Sequence, residues 1–130
     1  MMKLSEKKYR CAIVDNDPIS IEILSDYIAM IPKLKLTESY LNPLVAVNEI
    51  KKQEKIDFLF LDIKMEISGL DVAVILREHV NFIFFVTGYS EHALAAFSVE
   101  GDSFLLKPLD FSKFLFTVNR AIGSPLNSEI

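Results

Sequence analysis

Four short apolar runs, each ending at a polar residue, constrain the fold of this chain more than any other feature. The runs cover residues 11–14, 58–61, 82–86 and 104–106. They are too short for typical helices and are rich in β-branched and aromatic residues, which favours strands buried on both faces. Segment 34–40 alternates better and predicts an edge strand with one wetter face. The polar residues that end the four runs are Asp15, Asp62, Thr87 and Lys107.

Helical patterns lie between these strands. Asp17, Asn42 and Asp110 stand where a cap is expected, and proline follows the first two at the first helical position. A third helix is predicted after Gly69, and a short fourth helix over residues 90–97. The predicted apolar positions are Leu24, Tyr27, Ile28 and Ile31 in the first helix, Leu44, Val47 and Ile50 in the second, and Phe111, Phe114, Leu115, Val118 and Ile122 in the fifth. Apolar residues surround the third helix, which predicts that it is deeply buried; they are Leu70, Val72, Ala73, Val74, Ile75 and Leu76.

The order of these elements predicts an α/β fold of five strand-helix units. Such alternation favours a parallel sheet with helices on both faces, here a doubly wound sheet of strand order 2-1-3-4-5 with five helices. A length of 130 residues allows one domain. We place this domain at residues 9–123, after an N-terminal extension at 1–8. Residues 124–130 form either a tail or the start of a linker to an output domain outside this chain.

Composition excludes several classes of protein. With 51% hydrophobic residues the chain can bury a core, and its net charge of −4 argues against direct binding to nucleic acid. The single cysteine, Cys11, cannot form an internal disulfide, which favours a cytoplasmic location. No apolar run approaches the ~20 residues that span a bilayer, so we expect no membrane partner. The spacing of histidine and cysteine does not indicate zinc, and no phosphate-binding glycine loop is present.

The carboxyl ends of parallel strands meet at one edge of the sheet, where ligands bind. Asp15 and Asp62 would therefore approach each other, and two carboxylates a few ångströms apart require a proton or a cation between them. Oxygen ligands of this kind suit Mg²⁺, and a nearby lysine can hold an anion. Each residue also has an ordinary structural interpretation, such as helix capping by Asp17. Together, these groups match a site at which a phosphoryl group passes to an aspartate.

Four segments resemble the receiver domain of two-component response regulators: 13–18 (IVDNDP), 60–65 (FLDIKM), 87–90 (TGYS) and 104–108 (FLLKP). The similarity extends over about residues 9–123 and implies a flavodoxin-like, CheY-like fold. Residues 87–108 are most similar to receivers that carry a LytTR-type (LytR/AlgR) DNA-binding domain.

The resemblance implies a role for each polar residue at this edge of the predicted sheet. Asp62 would accept the phosphoryl group from a sensor histidine kinase. Mg²⁺ would be held by Asp15, Asn16, Asp62 and the backbone carbonyl of Lys64, with Asp17 as a further candidate ligand. Such a domain is not an enzyme, beyond self-phosphorylation from small phosphodonors and slow self-dephosphorylation.

The remaining implied roles concern phosphate contact and the switch. Lys107 would contact the phosphoryl oxygens, and Thr87 would move toward them, with Gly88 beside it in the switch region. Phe104 would be the aromatic residue that turns inward. The Lys107–Pro108 bond is commonly cis in this family. The face formed by the fourth helix, fifth strand and fifth helix would carry the signal and is a candidate homodimer interface. DNA would be reached only through an output domain outside this chain.

Two departures from the family pattern leave alternatives open. Asn16 stands where a second acidic residue is usual, which predicts weaker Mg²⁺ binding. The loop after Asp62 has Glu66 in place of the usual proline, and Gly69 comes one residue early. The alternative is a degenerate pseudo-receiver that acts as a phosphate-independent interaction module. A less favoured alternative is a phosphohydrolase of the haloacid dehalogenase type, in which the DxD of residues 15–17 would supply the nucleophile.

Overall fold

All five strands run parallel in one sheet, in the order β2-β1-β3-β4-β5, which confirms the predicted topology. The computed structural model describes residues 8–65, 67–88 and 103–123. The elements are β1 (Tyr9–Val14), α1 (Pro18–Ala29), β2 (Leu34–Tyr40), α2 (Pro43–Lys51), β3 (Ile56–Asp62), α3 (Gly69–Leu76), a 3-10 turn (Arg77–His79), β4 (Val80–Thr87), β5 (Ser103–Leu106) and α4 (Phe111–Ile122). The described part of the chain contains four α-helices, and α4 is the fifth helix of the sequence prediction. The predicted helix at 90–97 lies outside the described residues.

The strands are buried on both faces, as their continuous apolar runs predict. Successive residues of β1 alternate between the two sides of the sheet: Cys11 and Ile13 pack toward α1 and α4, whereas Ala12 and Val14 pack toward α2 and α3. The two layers of core differ in chemistry. The α1 and α4 side is aromatic, and a chain of pairwise ring contacts links Phe58, Phe60, Phe82, Phe84 and Phe114. The α2 and α3 side is mostly aliphatic.

The predicted starts of α1, α2 and α4 are confirmed. A side-chain oxygen of Asp17 accepts a hydrogen bond from the Ile19 N–H at 3.0 Å, and Asn42 and Asp110 cap α2 and α4 in the same way. The cap of α3 was not predicted: Ser68 Oγ accepts from the Leu70 N–H at 3.2 Å. The Ser-x-x-Asp pattern of residues 68–71 is a sequence signal that could have identified it.

The predicted helix faces need two corrections. Leu44 is 59% exposed, because α2 packs through Pro43, Ala46 and Ile50 instead. The expectation of deep burial all round α3 is wrong, since Val74 is 78% exposed and Ile75 44% exposed. One face of α3 covers the sheet and the opposite face points to solvent, although both are apolar.

An irregularity in the edge strand sets the position of its end. The register between β1 and β2 shifts by one residue after Cys11, so that Thr37 is unpaired in the ladder and its hydroxyl donates to the Cys11 carbonyl at 3.0 Å. Beyond this bulge the carbonyl of Tyr40 accepts a hydrogen bond from the Asp15 N–H at 3.0 Å. The edge strand therefore supports the backbone of Asp15 directly.

Candidate functional site

The four polar residues at the strand ends lie at one edge of the sheet, as their positions predict. Asp15, Asp62 and Thr87 are buried, and Lys107 is about a quarter exposed. The ammonium of Lys107 lies 3.2 Å from Asp15 Oδ2 and 3.8 Å from Asp62 Oδ2. The backbone N–H of Lys107 donates to the Thr87 carbonyl at 2.8 Å, which ties the end of β5 to the end of β4. The ammonium of one lysine thus lies within ion-pair distance of two buried carboxylates.

Asp15 presents one satisfied and one unsatisfied oxygen. Its Oδ1 accepts a 2.9 Å hydrogen bond from the Asp17 N–H. Its Oδ2 is buried and accepts no hydrogen bond from the described residues, because the Lys107 ammonium is close enough for an ion pair but not aligned for a hydrogen bond. A buried charged oxygen without a donor is costly. Asp15 Oδ2 is therefore the atom of this site best placed to gain from a bound cation.

Asp62 holds its proton more tightly than an ordinary aspartate does. Burial and, after it, the negative charge of Asp15 raise the pKa of its carboxyl from 3.8 to about 6, against the lowering effects of the Lys107 ammonium and the Lys64 N–H. The Lys64 N–H donates to Asp62 Oδ1 at 3.3 Å. At neutral pH Asp62 is mostly ionised, but the folded protein bears a cost for that charge.

The residues around Asp15 differ in what they offer a metal ion. Asn16 is exposed and lines a cavity of about 300 Å³ together with Leu41, Asn42, Pro43 and Met65. Asp17 is turned to the helix start: its Oδ1 caps α1 and its Oδ2 accepts from the Ser20 hydroxyl at 3.3 Å. The capping interpretation of Asp17 is therefore confirmed, and its carboxylate is already occupied.

The donor set fits a hard divalent cation, though with few charges. Across residues 8–65, 67–88 and 103–123, no group of three or more acidic, histidine or cysteine side chains could hold a metal. Asp15 and Asp62 supply two carboxylates. The Asn16 amide directly after Asp15 and the Lys64 carbonyl two residues after Asp62 are candidate neutral oxygen ligands. Such a set suits Mg²⁺, which uses one or two carboxylates and keeps several waters. The unsatisfied Asp15 Oδ2 is the observation that supports this fit.

The predicted switch residues lie around the same edge. Gly88 follows Thr87 on the surface, with open space where a Cβ would stand. Phe104 is partly buried and stacks on Phe85, with ring centroids 5.5 Å apart. The Lys107–Pro108 peptide bond is cis, the form that the resemblance implies.

The fold and this edge together define a class of protein: a doubly wound α/β domain with a buried acidic pair and a lysine where its strands end. The family model described as "Response regulator receiver domain" matches residues 11–119. The chain belongs to this family.

Individual relatives agree with this membership. The transcriptional regulatory protein BtsR of Escherichia coli K12 is 33% identical over 110 residues, which cover 83% of this chain and 46% of that protein. An uncharacterised response regulatory protein of Yersinia pestis is 34% identical over 113 residues, covering 85% of this chain and 47% of that protein. The chain thus spans about half the length of these curated relatives or less.

Solved structures show the same fold. The response regulatory domain of mrkE from Klebsiella pneumoniae has a TM-score of 0.73 and 26% identity, over 86% of this chain and 93% of that one. A Borrelia burgdorferi structure described as a CheX-CheY-BeF3-Mg complex has a TM-score of 0.76 and 20% identity, over 92% of each chain. No helix among the described residues is long and apolar enough to cross a membrane.

Proposed function

We propose that Asp62 accepts a phosphoryl group from a sensor histidine kinase and that the domain relays this event as a change of conformation. The observation that carries the proposal is the pair of distances from one ammonium, that of Lys107, to the buried carboxylates of Asp15 and Asp62. A phosphorylated Asp62 would bring a doubly charged group to this point. The Lys107 ammonium already supplies one positive charge beside this position.

The transfer requires little chemistry from the protein. An ionised oxygen of Asp62 attacks phosphorus, its bond to phosphorus forms, and the bond from phosphorus to the kinase histidine breaks and leaves its electron pair on that nitrogen. Lys107 stabilises the charge on the phosphoryl oxygens. Mg²⁺, when bound, would neutralise further charge, and Asp15, Asp62, Asn16 and the carbonyl of Lys64 are the groups that would hold it.

Phosphorylation with a small phosphodonor tests the function directly. Wild-type chain incubated with acetyl phosphate and Mg²⁺ should gain the mass of one phosphoryl group, and Asp62→Asn should gain none. Asp71→Asn is a matched control, because it removes an exposed carboxylate from the first turn of α3 and should leave labelling intact. No mass gain in the wild type, under conditions that label an established receiver, would reject the proposal.

A phosphate-independent interaction module remains the second candidate, because Asn16 is neutral and Asp17 is engaged in capping. This candidate predicts partner binding that Asp62→Asn leaves unchanged. Tight Mg²⁺ binding together with labelling of Asp62 would exclude it. Membership of the receiver family leaves the phosphohydrolase alternative without support.

We further propose that the signal passes to a DNA-binding output domain, of LytTR type by resemblance. The relatives include proteins named as transcriptional regulators, and they are about twice as long as this chain.

The candidate dimer face includes β5 and α4, where Phe116 is exposed with the Arg120 guanidinium 5.7 Å from its ring centre. Light scattering with and without beryllofluoride and Mg²⁺ tests this face, and an unchanged mass would argue against phosphate-linked dimers.

A further inference from the structure

Gly69 brings the start of α3 against the backbone of the residue that would accept the phosphoryl group. Gly69 is buried, and its N–H donates a 2.8 Å hydrogen bond to the carbonyl of Ile63. The Met65 N–H donates to the same carbonyl at 3.2 Å. The loop after β3 therefore folds back onto the residue that follows Asp62.

A side chain at position 69 has no room. A Cβ built on Gly69 would overlap the carbonyl oxygen of Asp62 and would lie 2.8 Å from the carbonyl carbon of Asp62 and from the Cα of Ile63. These are backbone atoms, so no change of rotamer could relieve the overlap. The Gly69 backbone is not in the left-handed region, which means that space alone requires glycine here.

The sheet holds the same peptide from its other side. The Ile63 N–H donates to the Val86 carbonyl on β4 at 3.3 Å, and Asp62 is paired with Val86 in the ladder. The Asp62–Ile63 peptide is thus fixed between β4 and Gly69. A shift of this peptide would change the 3.8 Å separation between the Asp62 carboxylate and the Lys107 ammonium.

We propose that Gly69 is a positioning residue: its missing side chain lets α3 press on the backbone of Asp62 and hold the acceptor carboxylate beside Lys107. This inference rests on the proposed phosphoryl transfer and identifies Gly69 as the residue that positions the Asp62 carboxylate. The close approach also accompanies the short loop, since α3 begins at Gly69, seven residues after Asp62, and meets the Asp62 backbone there.

Gly69→Ala tests the inference in the whole chain. Per folded molecule, we expect acetyl phosphate with Mg²⁺ to phosphorylate the variant roughly tenfold or more slowly, since a misplacement of about 1 Å can cost that much. Two matched variants report on folding alone. Gly123→Ala adds the same methyl at the end of α4, 3.2 Å from the Asn119 carbonyl oxygen, and Ser68→Ala removes the cap of α3. Both should keep the rate within about twofold of the wild type.

A positioning role for Gly69 predicts a loss of phosphorylation rate that Ser68→Ala does not share. A wild-type rate in Gly69→Ala, or an equal loss in Ser68→Ala, would overturn the positioning role. Unlabelled wild type would instead reject the proposed function. If Gly69→Ala does not fold, a beryllofluoride and Mg²⁺ titration of the wild type takes its place: the Gly69 amide should shift with the same midpoint as the Thr87 amide, while Gly123 stays unchanged. A silent Gly69 beside a responding Thr87 would overturn the inference.

Discussion

Replacing Asp62 by asparagine removes one of two buried carboxylates that share a single lysine. The pKa of Asp62 is raised from 3.8 to about 6 in the folded protein, chiefly by burial and then by the charge of Asp15. The folded state therefore binds more protons than the unfolded chain between these two values. Stability that depends on this group falls as pH rises through that window and then stays low above it.

The size of the effect follows from the shift in pKa. Each unit is worth about 1.4 kcal/mol, so ionising Asp62 costs the folded protein about 3 kcal/mol at pH 7.5 and about 1 kcal/mol at pH 4.5. An asparagine side chain at this position would avoid the cost, since it has nearly the same shape and carries no charge. We expect Asp62→Asn to be more stable than the wild type at pH 7.5, with a gain that shrinks by about 2 kcal/mol at pH 4.5.

Urea unfolding at both pH values, in chelator to remove divalent cations, measures this difference. Asp26→Asn is the matched control, because it removes an equal charge from the exposed surface of α1 and should change the free energy of unfolding by less than about 0.5 kcal/mol. A destabilised Asp62→Asn at pH 7.5, or a gain that is the same at both pH values, would refute the electrostatic reasoning. Millimolar Mg²⁺ should narrow the gap by stabilising the wild type.

Three further variants examine the site and the core. Lys107→Met should raise the pKa of Asp62 above about 6, seen in a carboxyl NMR titration, and slow phosphorylation roughly a hundredfold; an unchanged titration would contradict the role of the ammonium. Asn16→Asp should tighten Mg²⁺ binding by about tenfold, a modest gain because position 16 is exposed, and amide shifts during a Mg²⁺ titration would show it. Phe114→Ala should lower the free energy of unfolding by about 3–5 kcal/mol, because its ring is buried against Phe60; urea unfolding showing a loss below about 1 kcal/mol would be incompatible with that packing.

The sequence was most informative where chemistry changes abruptly along the chain. The runs that end at Asp15 and Asp62 indicate both a strand and the place where it ends. A buried apolar strand ends where a polar side chain can reach water, a cation or a hydrogen-bond partner. The caps at Asp17 and Asn42 were equally clear, since an unpaired helix N–H needs a nearby acceptor. Alternation of strands and helices predicted a parallel sheet, and the order 2-1-3-4-5 is one of the common doubly wound orders for five strands.

The sequence was least informative where every residue is apolar. In α3 the run from Val72 to Leu76 offers no polar contrast, so only the neighbouring sheet decides that Val74 faces solvent. The role of Gly69 could not be predicted either, because it depends on how closely α3 approaches the end of β3. Comparison with the family pattern identified the shortened loop as a departure but could not show how it closes.

The unequal chemistry of the two core layers has a practical consequence for watching this domain respond. Methyl groups between the sheet and α1 or α4, such as those of Leu24 and Ile28, lie in a core rich in phenyl rings and will have resonances displaced by ring currents. Methyls beneath α2 and α3, such as that of Ile50, lie in a mainly aliphatic layer, whose Phe85–Phe104 stack joins β4 to β5. Once the methyl resonances are assigned, those that move when Asp62 is modified will show which side of the sheet carries the signal.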